Sequence, residues 1–92
     1  MPRPCKQRRT RSLPNSSYFK PAGIRKVELE EIILESDEFE AINLVDVNMI
    51  SQQEASEKML ISQPTFSRIL SNGRKKIADA VVNGKAIRII KE

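Results

Sequence analysis

Histidine and tryptophan are absent from this 92-residue chain, and cysteine occurs once. Without an imidazole there is no ordinary base to activate a serine or thiol nucleophile, and no nucleophile stands paired with another base. The three glycines form no phosphate-cradling loop. Enzymatic function is therefore not expected, and neither is a cofactor. The lone Cys5 excludes an intramolecular disulfide and a cysteine-rich zinc site, and fits a reducing, cytoplasmic setting. Aromatics make up 4% of the chain. That argues against a base-stacking RNA platform and against a sandwich or barrel core. It suits a small helical unit built on Ile, Leu, Val and Ala. No apolar run approaches the roughly 18 residues of a membrane helix, so no membrane partner is expected. The first residues lack the apolar centre of a secretory signal. They are Arg-rich and acid-free like a transit peptide, but Pro2, Pro4, Pro14 and Pro21 break the amphipathic helix such a peptide needs.

Charge is present in abundance and arranged in blocks. Residues 1–26 hold eight Lys/Arg and no acid, residues 27–59 one base and ten acids, and residues 60–92 seven bases and two acids. The blocks of +8, −9 and +5 sum to the net +4. Segregation of this kind points to a polyanionic partner for the basic blocks, or to pairing between acidic and basic segments. The acids of "ELEEIILESDEFE" (Glu28–Glu40) read as a solvated face and as charge complementing a helix start, not as a metal site.

Two regions follow from the punctuation. Residues 1–26 read as an extended basic arm, interrupted by Pro, Ser, Asn and Gly, with Tyr18 and Phe19 expected to anchor it. Residues 27–92 read as a mainly α domain of three helices, with short strands expected at 27–34 and 86–90, paired with each other or with a second chain. A first helix starts at Ser36 or Asp37, where Asp37 and Glu40 have capping-box spacing, and ends near Val47 and Asn48. A second, very short helix is capped by Ser51 and carries Ala55 and Met59 inward. A third is capped by Ser62, with Pro64 in its first turn and Asn83-Gly84 at its end. At about 100° per residue, Phe66, Ile69, Leu70, Gly73, Ile77, Ala80 and Val81 share one face, while Arg68, Ser71, Asn72, Lys75 and Asp79 point away.

Two helices separated by about three residues have helix-turn-helix spacing. Ala55 and Ser56 are small enough for a close crossing, and Ile61 supplies an apolar plug in the turn. Phe66 and Ile69 hold the following helix to the core. Its polar side then offers Gln63, Thr65, Ser67 and Arg68 to base edges, with Ser71 and Asn72 one turn further on. Arg68 suits guanine and Gln63 suits adenine. Arg74, Lys75 and Lys76 suit phosphate, which positions the protein without specifying sequence. In the arm, Arg8, Arg9 and Arg11 are candidates for a minor groove or the DNA backbone.

Several stretches together resemble one family: "MPRP" (1–4), "YFKPAGI" (18–24), "ELEEIIL" (28–34), "DEFEAI" (37–42), "SQQEASEKM" (51–59), "SQPTFSRIL" (62–70) and "VNGKAIRI" (82–89). The chain resembles the DUF134 (UPF0251) family of prokaryotic predicted DNA-binding proteins, which are similar to region 4 of bacterial sigma factors. The resemblance implies a sequence-specific double-stranded DNA-binding transcriptional regulator whose recognition helix starts at Ser62. Departures from the family pattern are Leu60 and Met49 where glycine is usual, Gln63 where arginine is common, and the lack of a second cysteine in the arm. A residue other than glycine at positive φ costs about 1 kcal/mol. A homodimer is expected, because palindromic DNA suits two-fold proteins. The alternative is a protein-interaction module, serving dimerisation or RNA polymerase contact.

Overall fold

The computed structural model describes residues 17–25 and 28–90. Chain order is β1 (Tyr18–Phe19), β2 (Glu31–Leu34), α1 (Ser36–Ile42), a π-helical turn (Asn43–Val47) continuing α1, α2 (Gln52–Met59), α3 (Gln63–Asn83) and β3 (Ala86–Ile89). The architecture is mainly helical with a small three-stranded sheet.

Helix boundaries follow from local capping chemistry. Ser51 Oγ accepts the Glu54 amide at 3.1 Å, and Ser62 Oγ accepts the Thr65 amide at 3.3 Å. Each bond satisfies an amide that has no intrahelical partner. Pro64 falls in the first turn of α3, and Gly84 closes that helix at φ 69°. The capping box of α1 lies two residues upstream of the expected Asp37–Glu40 pair. It joins Glu35 and Glu38, with Glu38 Oε1 accepting the Glu35 amide at 3.0 Å. Helix α1 ends near the expected place through i→i+5 bonding, where the Asn48 amide donates to the Asn43 carbonyl at 2.9 Å.

The expected strand over 27–34 is confined to Glu31–Leu34. It pairs in parallel with β3, Glu31 opposite Ala86 and Leu34 opposite Ile89. By alternation Ile32, Leu34, Ile87 and Ile89 share one face, and Leu34 and Ile89 are buried there. β1 completes the order β1-β3-β2, pairing antiparallel with β3. Tyr18 is held by its hydroxyl, which donates to Glu31 at 2.8 Å, and by the Arg88 guanidinium 5.0 Å from its ring centroid. Phe19 contributes backbone pairing while its ring stays exposed, so the expected double aromatic anchor is a single one.

The main core gathers Ala41, Leu44, Ala55, Phe66 and Leu70 from α1, its π turn, α2 and α3. Full burial of a side chain the size of Phe66 contributes on the order of 3 kcal/mol. Gly73 sets the distance between α1 and α3: a Cβ there would lie 2.8 Å from Ile42 Cδ1 and 3.2 Å from Glu38 Cβ. Most of the expected inner face of α3 is buried or half-buried. Val81 is the exception at 75% exposed, because it lies at the margin of the apolar sector near the end of the helix. Among the described residues no helix is long and apolar enough to cross a membrane.

Met49 and Leu60 both adopt φ 62°. These are the two positions where the sequence resemblance implies glycine, and here side chains are held in the left-handed conformation. Leu60 is the left-handed cap of α2, and its amide donates to the Glu57 carbonyl at 3.1 Å.

Candidate nucleic-acid interface

Three residues, Leu60 to Ser62, separate α2 from α3. Ala55 and Ser56 are buried, and Ser56 Oγ donates to the Gln53 carbonyl at 2.8 Å. These small side chains let the two helices approach closely. Ile61 packs half-buried against the core, and its amide donates to the Ser56 carbonyl at 3.1 Å. Phe66, Leu70 and Gly73 then fix the inward face of α3. The start of the helix is thus rigidly placed, with its positive dipole end directed along the axis; in the first turn Thr65's amide is taken by Ser62 Oγ and Pro64 has none, which leaves that of Gln63.

The opposite side carries Ser67, Arg68, Ser71, Asn72 and Lys75, while Gln63 stands in the first turn at the flank of the buried face; all six are exposed. None of these side chains makes a hydrogen bond or ion pair among the described residues. From Gln63 to Lys75 the row extends roughly 18 Å along the axis at 1.5 Å per residue, about five base-pair steps of duplex DNA. Thr65 is positioned differently. It is half-buried, and its hydroxyl accepts from Ser62 Oγ at 2.9 Å as part of the cap.

The three neighbouring cations divide. Arg74 grips Asp46 with both prongs of its guanidinium, at 2.7 and 3.0 Å. This contact holds the Asp46 carboxyl below its ordinary value and raises Arg74 above its own. Lys76 Nζ donates to Glu38 Oε1 at 2.8 Å and to the Ile33 carbonyl at 2.7 Å. Glu38 is buried at 6% exposed, so this amine neutralises an interior carboxylate and ties α3 to α1 and β2. At 100° per residue both side chains lie on the flanks of the buried face, within reach of neighbouring elements. Lys75, between them, points outward. Of the three expected phosphate contacts, Lys75 alone is uncommitted. Arg8, Arg9 and Arg11 lie outside the described residues.

A second feature escaped the sequence reading. A cleft of about 980 Å³ opens between α1 and the α2–α3 turn. Leu44, Ile50, Met59, Ile61 and Ile69 form its apolar lining and Glu35, Asp37 and Glu40 its acidic side, with Lys58 on the wall from α2, leaving the charged lining net acidic. Its residues come from four elements, so no spacing in the sequence reveals it. The nearest sequence signal is Leu60, where the resemblance implies glycine; it lines the cleft at 89% exposed.

A small, mainly helical domain with a minor sheet, presenting one uncommitted polar helix face, is the class that these features define. A family model described as "Protein of unknown function DUF134" matches residues 1–92, and the chain belongs to that family. Among similar proteins, the UPF0251 protein of Caldanaerobacter subterraneus subsp. tengcongensis is 55% identical over 89 residues, covering 97% of this chain and 75% of the relative. The UPF0251 protein of Thermoanaerobacter pseudethanolicus is 52% identical over 89 residues, with the same coverages of 97% and 75%. That of Moorella thermoacetica is 51% identical over 89 residues, covering 97% of this chain and 60% of the relative. No solved structure matches the chain.

Proposed function

We propose that the domain is a helix-turn-helix that binds double-stranded DNA sequence-specifically and regulates transcription, with α3 as the recognition helix. The observation that carries this reading is the division of labour on α3. Its inner face is locked by Phe66, Leu70 and Gly73, and Arg74 and Lys76 are engaged within the fold. The outer row from Gln63 to Lys75 has hydrogen-bonding capacity with nothing internal to use it. A rigid helix with such a row fits a major groove, where Arg68 reads guanine and Gln63 reads adenine, while Ser67, Ser71 and Asn72 supply further polar contacts. Lys75 and the Gln63 amide at the positive end of α3 take phosphate. The basic residues of the arm, including Arg8, Arg9 and Arg11, add electrostatic attraction to the duplex. Two copies bound to a palindromic site complete the proposal.

The protein-interaction reading is favoured by one observation, the cleft with its acidic side, which duplex DNA would repel. The two readings concern different surfaces. Selection of bound duplexes from a randomised library by the purified full chain separates them. Enrichment of a defined sequence supports DNA recognition; a bound pool no different from the input leaves only the interaction module.

A further inference from the structure

We infer that the cleft between α1 and the α2–α3 turn is the docking site of the chain's own basic segment, Arg8–Leu13, which binds there when no DNA is present. This goes beyond the DNA-binding reading; the docking stands without that reading, and only the competition with DNA rests on it.

The first argument is where the N-terminal segment leaves the sheet. β1 runs antiparallel to β3, and the Ile89 amide donates to the Ser17 carbonyl at 2.9 Å. Ile89 is in turn the register partner of Leu34 in β2. Ser17 therefore lies two strand spacings, roughly 10 Å, from Leu34. The residue after Leu34 is Glu35, which caps α1 and lines the cleft. Ser17 thus sits at the end of the sheet where the acidic side of the cleft begins. Arg11 is six residues from Ser17, a reach of roughly 20 Å when extended.

The second argument is chemical complementarity. Asp37 and Glu40 make no ion pair among the described residues. Glu40 Oε1 is moreover buried without a hydrogen-bond partner among the described residues. A buried carboxylate oxygen in that condition is costly until a donor reaches it, and a charged donor serves best. Residues 1–16 bring five bases, Arg3, Lys6, Arg8, Arg9 and Arg11, and no acid. Leu13 is the large aliphatic residue beside the arginine run, and the half-buried Ile50, Met59 and Ile69 give it an apolar seat. Seated there, the arm shields its own arginines. DNA and the cleft then compete for the same cationic segment.

The single cysteine makes the test direct. A nitroxide attached to Cys5 of the full chain, without DNA, relaxes amides close to the docked arm. Cross-peaks of residues 35–40 and 58–61 should lose intensity. That loss should disappear in the Asp37→Lys, Glu40→Lys double variant, whose dispersed spectrum checks that it is folded. Losses confined to the residues next to Ser17 and β3, or losses unchanged in the double variant, overturn the inference. Spin-labelled chain mixed with isotope-labelled, unmodified chain identifies whose arm is bound. No loss in the mixed sample supports docking within one chain. Loss at the cleft in the mixed sample means a second copy supplies the arm, and contradicts the intramolecular arrangement.

Discussion

Replacing Lys76 by methionine keeps the apolar stem and removes the ammonium that bonds Glu38 Oε1 at 2.8 Å and the Ile33 carbonyl at 2.7 Å. Removing one partner of a fully buried ion pair costs roughly 3–5 kcal/mol. Here the lysine side chain keeps 32% exposure, and the Glu35 amide still donates to the same carboxylate oxygen. The expected loss is therefore smaller, about 2–3 kcal/mol. With an m-value of about 1 kcal/mol/M for so small a domain, the urea midpoint should fall by about 2–3 M. Adding Glu38→Gln removes the stranded charge and should recover much of that loss. Lys75→Met, one residue away on the outer face, should leave the midpoint nearly unchanged. The two variants should exchange roles in DNA binding. Lys75→Met should reduce the slope of log affinity against log salt by about 0.9, the contribution of one phosphate contact, whereas folded Lys76→Met should keep the slope of the parent. A negligible stability change for Lys76→Met, or a reduced salt slope for that variant and not for Lys75→Met, would refute the division between engaged and free cations.

Arg68→Ala should cost about 1–3 kcal/mol at a selected site and broaden the set of sequences bound; an equal loss on every sequence makes Arg68 a phosphate contact. Leu60→Gly and Met49→Gly relieve a left-handed conformation worth about 1–2 kcal/mol, against roughly 0.5–1 kcal/mol of added chain entropy in the unfolded state. Each should raise stability by up to about 1 kcal/mol in urea titrations, and a loss at either site would show that its side chain contributes packing. Asp46 titrates below its ordinary value of 3.8 because of Arg74, so its pair contributes stability above that pH and loses it as pH falls through the lowered value. The stability difference between the parent and Asp46→Asn should accordingly be constant at neutral pH and decline in acid; a difference that does not decline as pH falls below the ordinary 3.8 assigns the effect to packing.

Local chemistry was the part of the fold that spacing could reveal. Ser51 and Ser62 cap the helices expected of them, Gly84 ends α3, and the terminal strand pairs with the segment before α1. The caps depend on neighbours within a few residues, whereas the strand pairing joins segments 55 residues apart and was legible only from the composition of its two strands. The misplaced cap of α1 is instructive, since Glu38 is fixed as the capping partner by Lys76, 38 residues away. Likewise Arg74 meets Asp46 across 28 residues. Nothing in a run of "RKK" distinguishes the outer lysine from its two engaged neighbours. The exposure of Val81 was hidden for a related reason: helical periodicity gives a direction, but not where the elements packed along it end. The outward direction of Arg68, Ser71, Asn72 and Lys75 was legible in advance, since it follows from the apolar stripe of α3 alone.

Amide shift mapping of the full chain with a selected DNA duplex tests the central claim most directly. The account predicts that shifts concentrate in residues 63–75, at the start and outer face of α3. Shifts absent from that row, or confined to α1 and the cleft, would contradict it.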